Sequence, residues 1–221
     1  MSKTVLITGA SRGLGKALAQ EFAGQGNRMI LSSHNDYPYY PFAFEGEIVT
    51  GDIRIELALK RMELAIAKHG LDVLIHCAGI YKLKPFAGQP EYDFKKMIDV
   101  NLLAPIRITH ALWPTFERQC SGLIVFINSL AGKQGADGET AYSASKHGLA
   151  GFARSLQFDA ARIGVRVLSV FLGAMKTDMT RHRPDWDKLI DPQEAARAIV
   201  GLCEEYSTLG IREVEIGRIV N

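Results

Sequence analysis

The sequence predicts an α/β fold, one domain built on a doubly wound parallel sheet, and three observations carry that prediction. Short apolar runs alternate with longer segments of helical period over the whole length. The runs are branched, nearly unbroken in hydrophobicity and bounded by Gly, Asn or Ser, as parallel strands covered on both faces should be. A glycine-rich turn, Thr8-Gly9-Ala10-Ser11-Arg12-Gly13-Leu14-Gly15, follows the first run directly. Alternation of this kind implies right-handed crossovers between parallel strands.

Val5-Leu6-Ile7 is the first strand, and a helix from Gly13 to Gln25 returns the chain to Met29-Ile30-Leu31, the second. Asn35 to Gly46 then breaks the rhythm. It carries Pro38, Pro41, Tyr37, Tyr39, Tyr40 and Phe42, too short and proline-rich for a covering helix, so an ordered loop is expected. A short strand precedes Gly51-Asp52-Ile53, and helical period runs from Ile53 to His69. Val73-Leu74-Ile75 is the fourth strand, ended by Cys77-Ala78-Gly79, and one long helix spans Glu91 to Arg118. Leu123 to Ile127 and Val165 to Phe171 are the fifth and sixth strands, separated by a helix from Thr140 to Ile163. A last helix is expected over Pro192 to Tyr206, where Ala196, Ile199, Val200 and Cys203 recur at three- and four-residue spacing.

Composition removes several function classes. A hydrophobic fraction of 47% and a net charge of +2 over 221 residues suit a globular chain and give no basic footprint for nucleic acid or an anionic membrane. The three cysteines, Cys77, Cys120 and Cys203, are far apart and show no ligand spacing, so neither a disulfide framework nor a metal site is expected. No run approaches membrane-spanning length, and a cytoplasmic protein with no membrane partner is expected.

The glycine turn and one further stretch carry chemistry. Unpaired amides at a helix N-terminus, with the helix dipole behind them, can hold a pyrophosphate, and glycine lets the backbone approach it. Thirteen residues after Ser129 comes Tyr142-Ser143-Ala144-Ser145-Lys146. Tyr142 and Lys146, four apart in a helix, share a face. A phenol ionises near pH ~10, and a neighbouring ammonium lowers that value towards the range of acid/base work. Ser129, ending a strand, is placed to hydrogen-bond a carbonyl oxygen beside the phenol. Pro105 removes the donor that would pair with the Asn101 carbonyl. Each pattern alone is weak, and a bare turn or a surface Tyr–Lys pair is the bland account; their concurrence in order argues against it.

The spacing Thr-Gly-x-x-x-Gly-x-Gly, with Ser129, Asn101 and Tyr142-x-x-x-Lys146, resembles the short-chain dehydrogenases/reductases from about Thr4 to Thr177. The resemblance implies a Rossmann-like sheet and an oxidoreductase that moves a hydride between nicotinamide and a carbonyl or alcohol substrate. Tyr142 would be the general acid or base, and Lys146 would lower its pKa and bind the nicotinamide ribose. Ser129 would position the carbonyl, and the Asn101 backbone would hold a relay water. It further implies cofactor contacts from Gly9, Ser11, Arg12, Gly13, Leu14 and Gly15, from Ser33, His34 and Asn35, from Asp52 and Ile53, from Cys77, Ala78 and Gly79, and from Gly173, Met175 and Thr177. Asp52 would meet the adenine amino group, unless it merely caps the next helix. Cys77 stands where the family has asparagine, and Leu172 where it has proline, so both points need other support.

The second strand ends Ser32-Ser33-His34-Asn35, with no acid until Asp36. A carboxylate there would repel a 2′-phosphate, so with Arg12 and His34 nearby NADP is the expected cofactor, NAD being possible. Tyr81, Phe86, Met175, Met179 and Trp186 are candidates for an apolar substrate pocket; Lys82, Lys84, Arg181 and Arg183 either attract an anionic group or are simply solvated surface charges. A homodimer or homotetramer is expected. Two other classes stay open: a non-catalytic NAD(P)-binding regulator, and an epimerase using bound cofactor transiently.

Overall fold

A computed structural model describes residues 2–34, 39–203 and 210–218. Seven strands form one parallel sheet: β1 (Thr4–Thr8), β2 (Arg28–Ser33), β3 (Glu45–Thr50), β4 (Val73–His76), β5 (Gly122–Ser129), β6 (Val165–Leu172) and β7 (Glu213–Ile216). Their order is β3-β2-β1-β4-β5-β6-β7, so the winding reverses between β1 and β4, where a crevice opens at the strand C-termini.

Strand alternation divides the core cleanly. Val5, Ile7, Met29, Leu31, Ile75 and Val125 face α1 (Gly13–Gly24) and a C-terminal helix, Pro192–Leu202. Leu6, Ile30, Leu74, Ile124 and Phe126 face the opposite side, onto α2 (Glu56–His69) and the helices Ala104–Gln119 and Thr140–Arg162. Both faces are therefore apolar and covered, which is why the strands read as unbroken hydrophobic runs. This is the doubly wound, Rossmann-like architecture expected. The β2–β3 connection has no helix over its described part; Tyr40, Phe42 and Phe44 pack there edge-on and against the α1-side core instead.

Three boundaries differ from expectation. α2 starts at Glu56, because residues 52–55 form a turn in which Ile55 N–H donates to the Asp52 carbonyl at 2.9 Å. Asp52 is thus not the cap of α2, which begins after Ile55. The long helix from Glu91 is divided into α3 (Glu91–Ile98), a π-helical turn over Asp99–Leu103, and α4 (Ala104–Gln119). Pro105 supplies the reason: with no N–H at that position the i→i+4 ladder cannot continue through Asn101, and a wider turn accommodates the lost bond. The helix α5 follows (Thr140–Arg162), and α6 ends at Leu202, the rest of the expected span lying largely outside the described residues.

Candidate active site

The glycine turn sits at the C-terminal edge of β1 and is shaped by close approach. Gly9 has φ +71°, and a Cβ there would lie 2.7 Å from Ala78 Cα; a Cβ on Gly15 would lie 2.2 Å from the Gly9 carbonyl oxygen. Glycine is therefore required at both places: the turn presses on the chain leaving β4 and on the first turn of α1. Gly13, at φ +53°, brings the turn within contact of the Thr177 methyl. The first turn of α1 has no acidic residue, and Arg12 makes no side-chain cap. Its leading residues, Gly13, Leu14 and Gly15, line a cavity, where free helix amides and the positive end of the helix dipole are found.

That cavity, about 740 Å³, is lined by Gly9, Ser11, Arg12, Gly13, Leu14 and Gly15, by His34, Asp52 and Ile53, by Cys77, Ala78 and Gly79, by Ser129, Tyr142 and Lys146, and by Gly173, Met175 and Thr177. All but three of the expected catalytic and cofactor-contact residues thus share one space. Ser33 is fully buried in β2, and the wall at that level is Ser32, whose buried hydroxyl has no hydrogen-bond partner; strand alternation puts neighbouring residues on opposite faces. Asn35 lies outside the described residues. Asn101 is 1% exposed and does not line the cavity. Its side chain instead accepts from Ile80 N–H at 2.8 Å and donates to the Ile80 carbonyl at 2.9 Å and to Ser145 Oγ at 3.1 Å. Asn101 therefore ties the loop after β4 to α5.

Thr8 supports the chain that leaves β4. Its hydroxyl accepts from the backbone N–H of Cys77 at 3.1 Å and of Ala78 at 3.2 Å. Burial pushes the Cys77 thiol up to about 12, so it is no nucleophile near neutral pH. After Leu172 the chain is held by a short parallel bridge: Met175 pairs with Ile190, and Lys176 N–H donates to the Ile190 carbonyl at 2.8 Å.

The proton-transfer set lies across the cavity. Burial, opposed by a hydrogen bond with Ser129, pushes the Tyr142 phenol up to about 12. Lys146, only 6% exposed, donates to the Ile127 carbonyl at 3.0 Å, and burial brings its ammonium down to about 8. Its Nζ is 5.9 Å from the centre of the Tyr142 ring. Desolvation is the largest influence on the phenol and outweighs the Ser129 hydrogen bond. Ser129 Oγ also accepts from Ala131 N–H at 3.2 Å, fixing the turn after β5.

Arg54 is a cavity residue that sequence reading missed. It grips Asp52, Nε to Oδ1 at 3.0 Å and a terminal nitrogen to Oδ2 at 2.6 Å, and holds that carboxyl below its usual range. Only the 52–55 turn brings it there. Of the expected substrate-side residues, Tyr81, Met175, Met179 and Arg183 line the cavity, while Phe86, Trp186, Lys82, Lys84 and Arg181 do not. Among the described residues no acidic, Cys or His cluster could hold a metal ion, and no helix is long and apolar enough to cross a membrane.

Comparison with known proteins agrees with this geometry. A family model described as short chain dehydrogenase matches residues 3–188. Oxidoreductase UcpA of Salmonella typhimurium is 32% identical over 211 residues, which cover 89% of this chain and 80% of that protein. The 3-oxoacyl-[acyl-carrier-protein] reductase FabG of Escherichia coli is 30% identical over 191 residues, covering 83% and 78%. Among solved structures, a metagenomic short-chain oxidoreductase in complex with NADP superposes with a TM-score of 0.85 at 27% identity, covering 99% of this chain and 98% of that one. ElxO with NADP bound gives 0.87 at 25% identity and 98% coverage of both chains.

Proposed function

Since this chain belongs to the short-chain dehydrogenase family, we propose that it is an NADP-dependent carbonyl reductase or alcohol dehydrogenase in which Tyr142 passes the proton. The observation that carries the reading is that Ser129, Tyr142 and Lys146 line the same cavity as the glycine turn that opens α1. The residues present fit a dinucleotide. Gly9 and Gly15 admit no side chain, the first turn of α1 offers amides to a pyrophosphate, and the Ser32 hydroxyl awaits a partner.

NADP, when bound, supplies the hydride or takes it up. Residues at the β1 turn would hold its pyrophosphate, Asp52, Ile53 and Arg54 its adenine, and Ala78, Gly79, Gly173, Met175 and Thr177 its nicotinamide end. Arg12 and His34 would take the 2′-phosphate. The Arg12 guanidinium is 3.9 Å from the Asp178 carboxylate, with both side chains largely exposed, so that pair is weak and a phosphate can displace it. Neighbours of the same fold that hold NADP support the choice.

At neutral pH a phenol near 12 is protonated, and Tyr142 is therefore an acid ready to donate to a carbonyl oxygen. Ser129 hydrogen-bonds Tyr142 and is placed to share the growing negative charge on that oxygen. Lys146 keeps a positive charge beside the phenol up to about pH 8.

The test is oxidation of NADPH and NADH against aldehydes, ketones and diketones, with R12A and Tyr142→Phe as controls. Turnover lost in Tyr142→Phe but with cofactor binding kept is the expected result. Removing one charge-assisted contact should raise KM for NADPH about 10-fold or more in R12A while leaving NADH nearly unchanged. Tight cofactor binding with no carbonyl turned over would mark a non-catalytic NADP-binding protein instead.

A further inference from the structure

Tyr81 stands on the chain leaving β4, lines the same cavity as Tyr142, and has no part in the chemistry above. Its ring meets the Tyr142 ring edge-on, with centroids 5.0 Å apart and planes at 87°. It also lies parallel to His182, from the segment that follows β6, at 6.4 Å and 15°. Its hydroxyl donates to Glu139 Oε1 at 2.9 Å, just before α5. Burial and then that hydrogen bond raise the pKa of the phenol, so it remains a donor at neutral pH.

Three separate parts of the chain therefore fix this one ring: the loop after β4, the entry to α5, and the segment carrying His182. A side chain held by its hydroxyl, with an aromatic neighbour on its edge and another on its face, cannot rotate away without losing several contacts together. The ring thus forms a fixed wall beside the proposed proton donor, spanning from it to the segment over the cavity. Met175 and Met179, also on the lining, are flexible and can yield to a ligand of varied shape. The selective wall is the Tyr81 side.

We propose that Tyr81 is a specificity-determining residue, limiting the size of the carbonyl substituent that can lie on that flank. The inference rests on the carbonyl-reductase reading, so its test uses a readout that does not require turnover. Complexes of the NADP-loaded protein with acetophenone, propiophenone and benzophenone keep one phenyl group and enlarge the other substituent, and their affinities can be measured by calorimetry.

Since a hydrophobic wall discriminates about 10-fold or more per added group, the protein should bind acetophenone at least about tenfold more tightly than benzophenone. Tyr81→Ala should bring the two to within about threefold. Tyr81→Phe keeps the ring and should keep the discrimination. H182A, which leaves Tyr81 intact but unbacked, should narrow it by less and serves if Tyr81→Ala does not fold. Unchanged discrimination in Tyr81→Ala, or in H182A alone if only that variant folds, overturns the proposal, as does failure of the unsubstituted protein to bind any ketone. NADPH oxidation measured in parallel separates the two readings. Relieved discrimination without turnover by any form would remove the reductase reading and leave the size filter standing.

Discussion

Tyr142 experiences opposing influences whose balance decides its protonation state. Burial raises its pKa, the Ser129 hydrogen bond lowers it, and Glu139 raises it again; the phenol stays protonated through the neutral range. Lys146, lowered by burial to about 8, loses its charge first as pH rises. The value of kcat/KM for carbonyl reduction reports groups of the enzyme before substrate binds. It should hold steady to about pH 8 and then fall, because the ammonium, not the phenol, titrates there. In Lys146→Arg the fall should vanish, since guanidinium does not titrate in that range; a persistent fall at the same pH would assign it elsewhere. Thr8 offers a stability test at the same scale. Thr8→Val deprives two backbone amides of their acceptor, which should cost about 1–3 kcal/mol in chemical denaturation. Thr8→Ser retains the hydroxyl and should remain near the parent.

Within α1, two glycines of identical composition should respond with opposite sign to the same substitution. A Cβ on Gly15 would lie 2.2 Å from a backbone oxygen, whereas one on Gly24 meets nothing within 4 Å. Gly15→Ala must push the helix from the turn and should lose about 1–3 kcal/mol, with cofactor affinity falling alongside. Gly24→Ala should gain about 0.4–1 kcal/mol by restricting the unfolded chain, with cofactor affinity unchanged. Thermal melts with and without NADPH read both effects. The π-helical turn at Asp99–Leu103 is the other element whose form follows from one residue. The helical pattern of Glu91 to Arg118 showed continuity and Pro105 a missing donor, but pattern alone could not choose between a kink and a wider turn. In the fold that turn carries Asn101, whose side chain is engaged by Ile80 and Ser145 and ties it to two other parts of the chain.

For the whole molecule, the cavity draws its lining from the C-terminal ends of several strands and from the loops beyond them, so a ligand there should tie these regions together. NADPH at about 100 times its Kd should stabilise the fold by about 2.7 kcal/mol, which raises Tm by about 5–10 °C for a chain of this size. NADH at the same concentration should raise it less, and R12A should narrow the gap between the two. Equal shifts for both cofactors would remove the preference proposed for the 2′-phosphate.

The sequence by itself determined the architecture, because the causes are local. Unbroken apolar strands demand cover on both faces, helical period supplies the cover, and a glycine turn after the first strand marks the crevice. It also determined which residue types share that crevice: the turn, Asp52, Cys77 to Gly79, Ser129, Tyr142, Lys146 and Thr177 all line one cavity. Tertiary structure alone decided the rest. Strand alternation set Ser32 rather than Ser33 at the wall, and a turn not visible in the pattern brought Arg54 onto Asp52. Thr8, 69 residues from Cys77, holds the backbone of the chain leaving β4, and the Met175–Ile190 bridge holds the segment after β6. The protonation of Tyr142 also belongs to the folded state. Spacing puts the ammonium on the same helical face, but desolvation depends on everything packed around the phenol, and that is a property of no segment alone.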